Sequence, residues 1–232
     1  MSELIDLSYY KVLPQQFGAQ PKILINEITN DIEYYCCTSP AQAVIEYAFS
    51  KICEVCDIFH EKAYWGLDLK FVEDRCVTVT PFDLNREWIY GNDKDKFSSL
   101  NNKEQLEFVL LMTSMFGGSL WNDDVIGYIE NNTFKKAFHY NSMFEIELAM
   151  FNSKGPALEL FFSTNLRNVL NEYDYEELLA MKKHIDKFNN VKKHEWLDIF
   201  DFPENAKFDK SKFWLLKKIG NIQKEFIYYF DK

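Results

Sequence analysis

Apolar residues recur along this chain at two periods, and the periods divide it into elements. Val44, Ala48, Ile52, Val55 and Phe59 fall at spacings of three and four, and Ile45, Phe49 and Cys56 widen the stripe. Ser39 offers a capping hydroxyl and Pro40 stands at the first helical position, where a missing N–H costs nothing. The spacing predicts a long, well-buried helix from residue 40 to residues 60–64. Strict alternation follows over 66–82: Leu67, Leu69 and Phe71 against Asp68 and Lys70, a polar turn at 73–75, then Val77 and Val79 up to Pro81. That pattern predicts a hairpin. A second helix is expected over 103–116, stopped by Gly117 and Gly118, and a second hairpin over 145–164, where Ile146, Leu148 and Met150 face Leu158, Leu160 and Phe162 across a turn at 152–156.

The remainder is helical or weakly patterned. Residues 165–188 carry Leu166, Val169, Leu170, Leu178, Met181 and Ile185 at helical spacing, with a break expected near Asp174. Residues 211–230 form a terminal amphipathic helix with Phe213, Leu216, Ile219, Ile222, Phe226 and Tyr229. Residues 22–35 read as a strand or a short helix, and residues 119–141 are ambiguous in pattern, with Asn122, Asp123 and Asp124 able to cap a short helix through Ile129. Residues 1–20 and 83–102 read as irregular. The elements sum to one α+β domain over residues 1–232, helix-dominated, with a small antiparallel sheet of two hairpins.

Composition narrows the class. Apolar residues are 47% of the chain, which excludes disorder as its general state. Gly and Pro number only 8 and 6, which favours long helices and leaves little material for phosphate-cradling loops. Five cysteines, an odd number, fit a reducing compartment better than a disulfide framework. The longest apolar run, 108–112, is too short to cross a bilayer, and residues 1–6 lack the basic and apolar regions of a secretory signal, so the expected location is cytoplasmic.

Charge changes the picture most. The net charge is −10, but residues 1–180 carry −14 and residues 181–232 carry +4. The acidic body repels nucleic acid and membranes and attracts basic proteins. The basic section has no Arg after Arg167, and base readout leans on Arg, so a nucleic-acid partner is not expected.

The chemical constellations are thin. Cys53, Cys56 and His60 would lie on one face of an unbroken helix and could ligate zinc, with Cys36, Cys37 or Cys76 as a fourth ligand. Buried cysteines packing as small hydrophobes are the commoner arrangement, so no metal or other cofactor is expected. No nucleophile elbow, Walker A loop or dinucleotide fingerprint occurs, and no catalytic residue is assigned. Tyr and Trp rings beside acids, however, are what protein interfaces use. Asp93, Asp95, Asp123 and Asp124 with Trp88, Tyr90 and Trp121 are therefore the expected partner-binding set. The function expected is non-catalytic binding of a basic protein, as an immunity protein or antitoxin occludes a toxin, often a nuclease. The alternatives are a phage or plasmid inhibitor of host defence that mimics DNA, and a metal-dependent hydrolase or nuclease using paired acids with His184 or His194.

Overall fold

The structure, a computed structural model, describes residues 4–13, 22–37, 40–70, 77–83, 85–90, 93–117, 125–137, 165–203 and 209–231. The first sheet has six strands: β1 (Leu4–Asp6), β2 (Tyr10–Val12), β3 (Lys22–Asn26), β4 (Ile32–Cys37), β5 (Tyr64–Leu67) and β6 (Val77–Pro81), in the order β1-β5-β6-β4-β3-β2. It is mixed: β1 runs parallel to β5, and every other pair is antiparallel. β1 and β2 are joined by only residues 7–9 yet lie at opposite edges. Laid flat, six strands would span about 24 Å, whereas the link from Asp6 to Tyr10 reaches at most about 14 Å. The sheet therefore curls until its edges approach. Leu7, Leu24, Cys36, Val77 and Val79 are buried together on one of its faces.

The opposite face is covered by α1 (Pro40–Val55). Thr78 Oγ1 donates to the Ala43 carbonyl at 2.7 Å, and Trp65 packs on Tyr47. A second sheet follows: β7 (Glu87–Tyr90), β8 (Val125–Glu130) and β9 (Thr133–Lys136), antiparallel, in the order β7-β8-β9. The helices are α2 (Lys94–Phe97), α3 (Lys103–Met115), α4 (Leu166–Leu170), α5 (Tyr175–Asn190), α6 (Glu195–Phe200) and α7 (Asp209–Phe230). With α1 they bury the largest apolar cluster, including Phe49, Phe108, Met112, Phe188, Trp196, Ile219 and Phe226.

The expected helix-dominated domain with a small antiparallel sheet is thus overturned. The described residues hold nine strands in two sheets, one of them large and mixed. The missed strands are short and lie where the pattern is weak. β1 and β2 have three residues each, too few to show a period. β7 lies in a stretch that reads as loop. Residues 125–136 form a hairpin rather than a helix. Asn131 and Asn132 both adopt positive φ, 52° and 57°, the pair of left-handed residues a tight two-residue turn requires. β5 pairs antiparallel with β6, but it lies earlier than the 66–82 hairpin expects. It spans Tyr64–Leu67 and ends where Asp68 turns left-handed at φ 61°, which leaves Leu69 outside the strand, while Phe71 and the turn at 73–75 lie outside the described residues. The 145–164 hairpin lies outside the described residues.

Helix ends also differ from the periodicity. α1 stops near Val55 because Asp57 turns left-handed at φ 53°. The Ile58 N–H then donates to the Cys53 carbonyl and the Asp57 N–H to Glu54, a Schellman closure with Ile58 buried behind it. The 165–188 helix is split between α4 and α5, where Asp174 and Glu177 form a reciprocal capping box. Among the described residues no helix is long and apolar enough to cross a membrane.

Candidate functional site

The two sheets meet along a row of rings. Tyr35 of β4 packs on Phe82, Phe82 stacks on Trp88 of β7 at 5.3 Å, and Trp88 meets Tyr128 of β8 edge-on at 5.8 Å. Charged groups gather at the Tyr128 end. The Arg86 guanidinium lies 4.2 Å from the Tyr128 ring centre and Lys135 Nζ 5.6 Å from it. Glu61 is their common partner: it accepts from the Tyr128 hydroxyl and lies 3.0 Å from Arg86 and 3.2 Å from Lys135. Burial pushes the Glu61 carboxyl up, but these three partners outweigh it and hold it below the usual carboxylate range. Burial and the neighbouring carboxylate push the Tyr128 phenol up. The cluster joins the α1–β5 loop to β8 and β9.

A second pair lies deeper. Lys136, the last residue of β9, places Nζ 3.6 Å from Glu46 of α1, with side chains only 2% and 3% exposed. The Phe49 ring lies 5.4 Å from the ammonium. The adjoining backbone is knitted into the same loop, with Lys136 N–H donating to the Phe59 carbonyl and Glu61 N–H to that of Lys136. His60 sits in this loop. Its Nδ1 lies 2.8 Å from the Ile58 carbonyl, so the neutral ring carries its proton there, and burial depresses its pKa to about 4.

The expected partner-binding residues separate into distinct environments. Trp88 is half-buried in the aromatic row. Tyr90 is 39% exposed at the end of β7, and Asp95 is exposed on α2. Asp93 is used within the chain. Its carboxylate accepts from the Tyr90 N–H at 3.1 Å and lies 3.6 Å from Lys96, while its own N–H donates to the Tyr90 carbonyl. It thereby saturates the backbone at the end of β7. Trp121, Asp123 and Asp124 lie outside the described residues.

The structure does not hold Cys53, Cys56 and His60 on one helical face, because the left-handed Asp57 separates His60 from α1. Cys53 and Cys56 are buried. Burial pushes the Cys53 thiol up to about 12 and the Cys56 thiol well above its ordinary value. Cys36 lies with the buried residues of the curled sheet, and Cys76 is outside the described residues. Among the described residues, no group of three or more His, Cys, Asp or Glu is arranged to hold a metal ion. Sequence reasoning missed Glu61, Arg86, Lys135, Lys136 and Glu46. Glu46, Glu61, Arg86 and the neighbouring Lys135 and Lys136 are spread along the chain, and the pairing of β7 with β8 and of β9 with the α1–β5 loop brings them together.

No protein-family model matches the chain, and no curated protein matches it in sequence. In fold it is similar to the crystal structure of a Helicobacter pylori proinflammatory kinase, CtkA, with a TM-score of 0.55 and 11% sequence identity over 95% of this chain and 95% of that one.

Proposed function

We propose that this chain is a non-catalytic protein-binding protein whose acidic body captures a basic protein partner, in the manner of an immunity protein or antitoxin that occludes a toxin's active site. The observation carrying this reading is the β7–α2 corner. There Tyr90, the last residue of β7, and Asp95, on α2, are both exposed on the −14 portion of the chain. An exposed ring and an exposed carboxylate on one corner suit a basic surface, with the acid standing where a substrate phosphate would. Asp123, Asp124 and Trp121 belong to the same proposal. Affinity purification from the native host at low ionic strength, followed by mass spectrometry, tests it. A basic protein should be retained, released as salt is raised, and lost from the Tyr90→Ala/Asp95→Lys variant. Retention of no basic protein sinks the reading.

A second reading, phosphoryl transfer from a nucleotide, is supported by the likeness to the kinase CtkA and by the strand–helix Lys136–Glu46 pair. Protein kinases use such a pair in handling nucleotide phosphates. The burial of this one favours binding over catalysis, since an ammonium 2% exposed offers phosphates no approach. Thermal unfolding with magnesium and ATP separates the two readings: an unchanged Tm supports binding, and a raised Tm supports transfer.

A further inference from the structure

The outward face of α7 carries a ridge that nothing in the site above uses. Phe213, Lys217, Gly220, Lys224, Ile227 and Tyr228 fall within an arc of about 100° on one helix. The three large apolar side chains stand 59%, 48% and 47% exposed, and both lysines are exposed. The opposite face, with Leu215, Leu216, Ile219, Ile222 and Phe226, is buried and docks α7, while the ridge stays open to water.

Gly220 stands at the centre of this ridge, seven residues from Phe213 and seven from Ile227. Glycine inside a helix is destabilising relative to alanine. Here it is not required by the fold, since a Cβ at Gly220 would meet nothing within 4 Å. The notch admits a bulky side chain from outside. Beside it runs a shallow groove of about 270 Å³ lined by Asn165, Leu166, Arg167, Asn221, Lys224 and Glu225, in which Glu225 is taken up by Arg167 at 3.0 Å and Arg167 is set over the Tyr228 ring.

We propose that this ridge and groove dock an acidic amphipathic helix of a partner protein, its apolar face between Phe213 and Ile227, one large side chain over Gly220, and its acids on Lys217, Lys224 and Arg167. Charge selects this occupant. A second copy of the chain fits poorly. An antiparallel pairing about Gly220 brings Lys217 of one copy against Lys224 of the other twice, and a parallel pairing sets each lysine against itself. An anionic membrane or a nucleic acid is a broad polyanion that also meets the −14 body, whereas one short helix needs only the local match.

The test uses the full chain and a labelled amphipathic peptide of about 20 residues, Leu on one face and Glu along its flanks, read by fluorescence anisotropy. The same peptide with Lys for Glu, phosphatidylserine vesicles and single-stranded DNA serve as comparisons. The acidic peptide should bind while vesicles and DNA do not, any Lys peptide taken up by the acidic body should not displace it, and Lys217→Glu/Lys224→Glu should weaken it at least about tenfold. Gly220→Leu should weaken it similarly, while Gly220→Ala, which raises Tm, verifies that the helix tolerates a side chain there. The proposal is overturned if the acidic peptide does not bind, if the Lys peptide displaces it, or if folded variants bind the acidic peptide like the parent. It is equally overturned if vesicles or DNA bind in the peptide's place, or if the chain sediments as a dimer that Phe213→Asp dissociates.

Discussion

Lys136 and Glu46 are each almost wholly removed from water, so each charge is sustained by its neighbours. Lys136→Met alone removes the cation beside the buried Glu46 and should cost about 3–5 kcal/mol in urea unfolding, whereas Lys136→Met with Glu46→Met should recover most of that loss. His60 gives the chain an acid limit. Its pKa is near 4 in the folded state and about 6.5 unfolded, so between those values the unfolded chain binds the extra proton. Stability should fall as pH drops from 6.5 towards 4, by at most about 3 kcal/mol. His60→Asn should flatten that part of the profile; a profile identical to the parent's would show that another group sets it. None of these roles can be read from the chain in one dimension. Lys136 looks like a surface lysine beside Lys135, and Glu46 interrupts an apolar stripe without a visible partner. Only the contact between a loop near residue 60 and the last residue of β9 gives them a purpose.

At the scale of elements, the legible features are those whose cause is local. The Asp174–Glu177 capping box is written within four residues, and Asp174→Ala should cost about 1 kcal/mol in α5. Gly220→Ala should add about 0.5–1 kcal/mol, because it removes a helix penalty without a clash. Gly127 gives the opposite case. A Cβ there would stand 2.2 Å from the Lys135 carbonyl oxygen, a backbone atom that cannot move aside. Gly127→Ala should therefore force β8 from β9, with a large fall in Tm and loss of near-UV dichroism from the Trp88–Tyr128 contact. The 125–136 hairpin is legible through Asn131–Asn132 once the dipeptide is read as a turn, but an N-terminal run of acids draws the eye to a helix cap instead. β7 has no such signal: its four residues alternate too briefly to outweigh the polar stretch around them.

At the scale of the whole molecule, the positions of the long helices and the segregation of charge along the sequence are visible in the chain, and the large sheet, which displaces the helix-dominated reading, is not. Its outer strands are three residues long and take partners far away, such as Leu4 with Trp65, and a period needs more residues than that to declare itself. The likeness of this fold to a kinase lies at the same level, carried by topology at 11% identity rather than by residues a motif could match. The curl of the six-stranded sheet has a dynamic consequence. β1 and β2 close its two edges and share one short link anchored by the buried Leu7, over which Gly66 leaves room that a Cβ would fill. Neither edge can peel away without pulling on the other, so the first strands should open as one cooperative unit. In native-state hydrogen exchange, Leu7→Ala should accelerate the amides of β1, β2 and β5 by a common factor and leave α5 and α7 at their original rates. Separate factors for the two edges would mean that the link is slack.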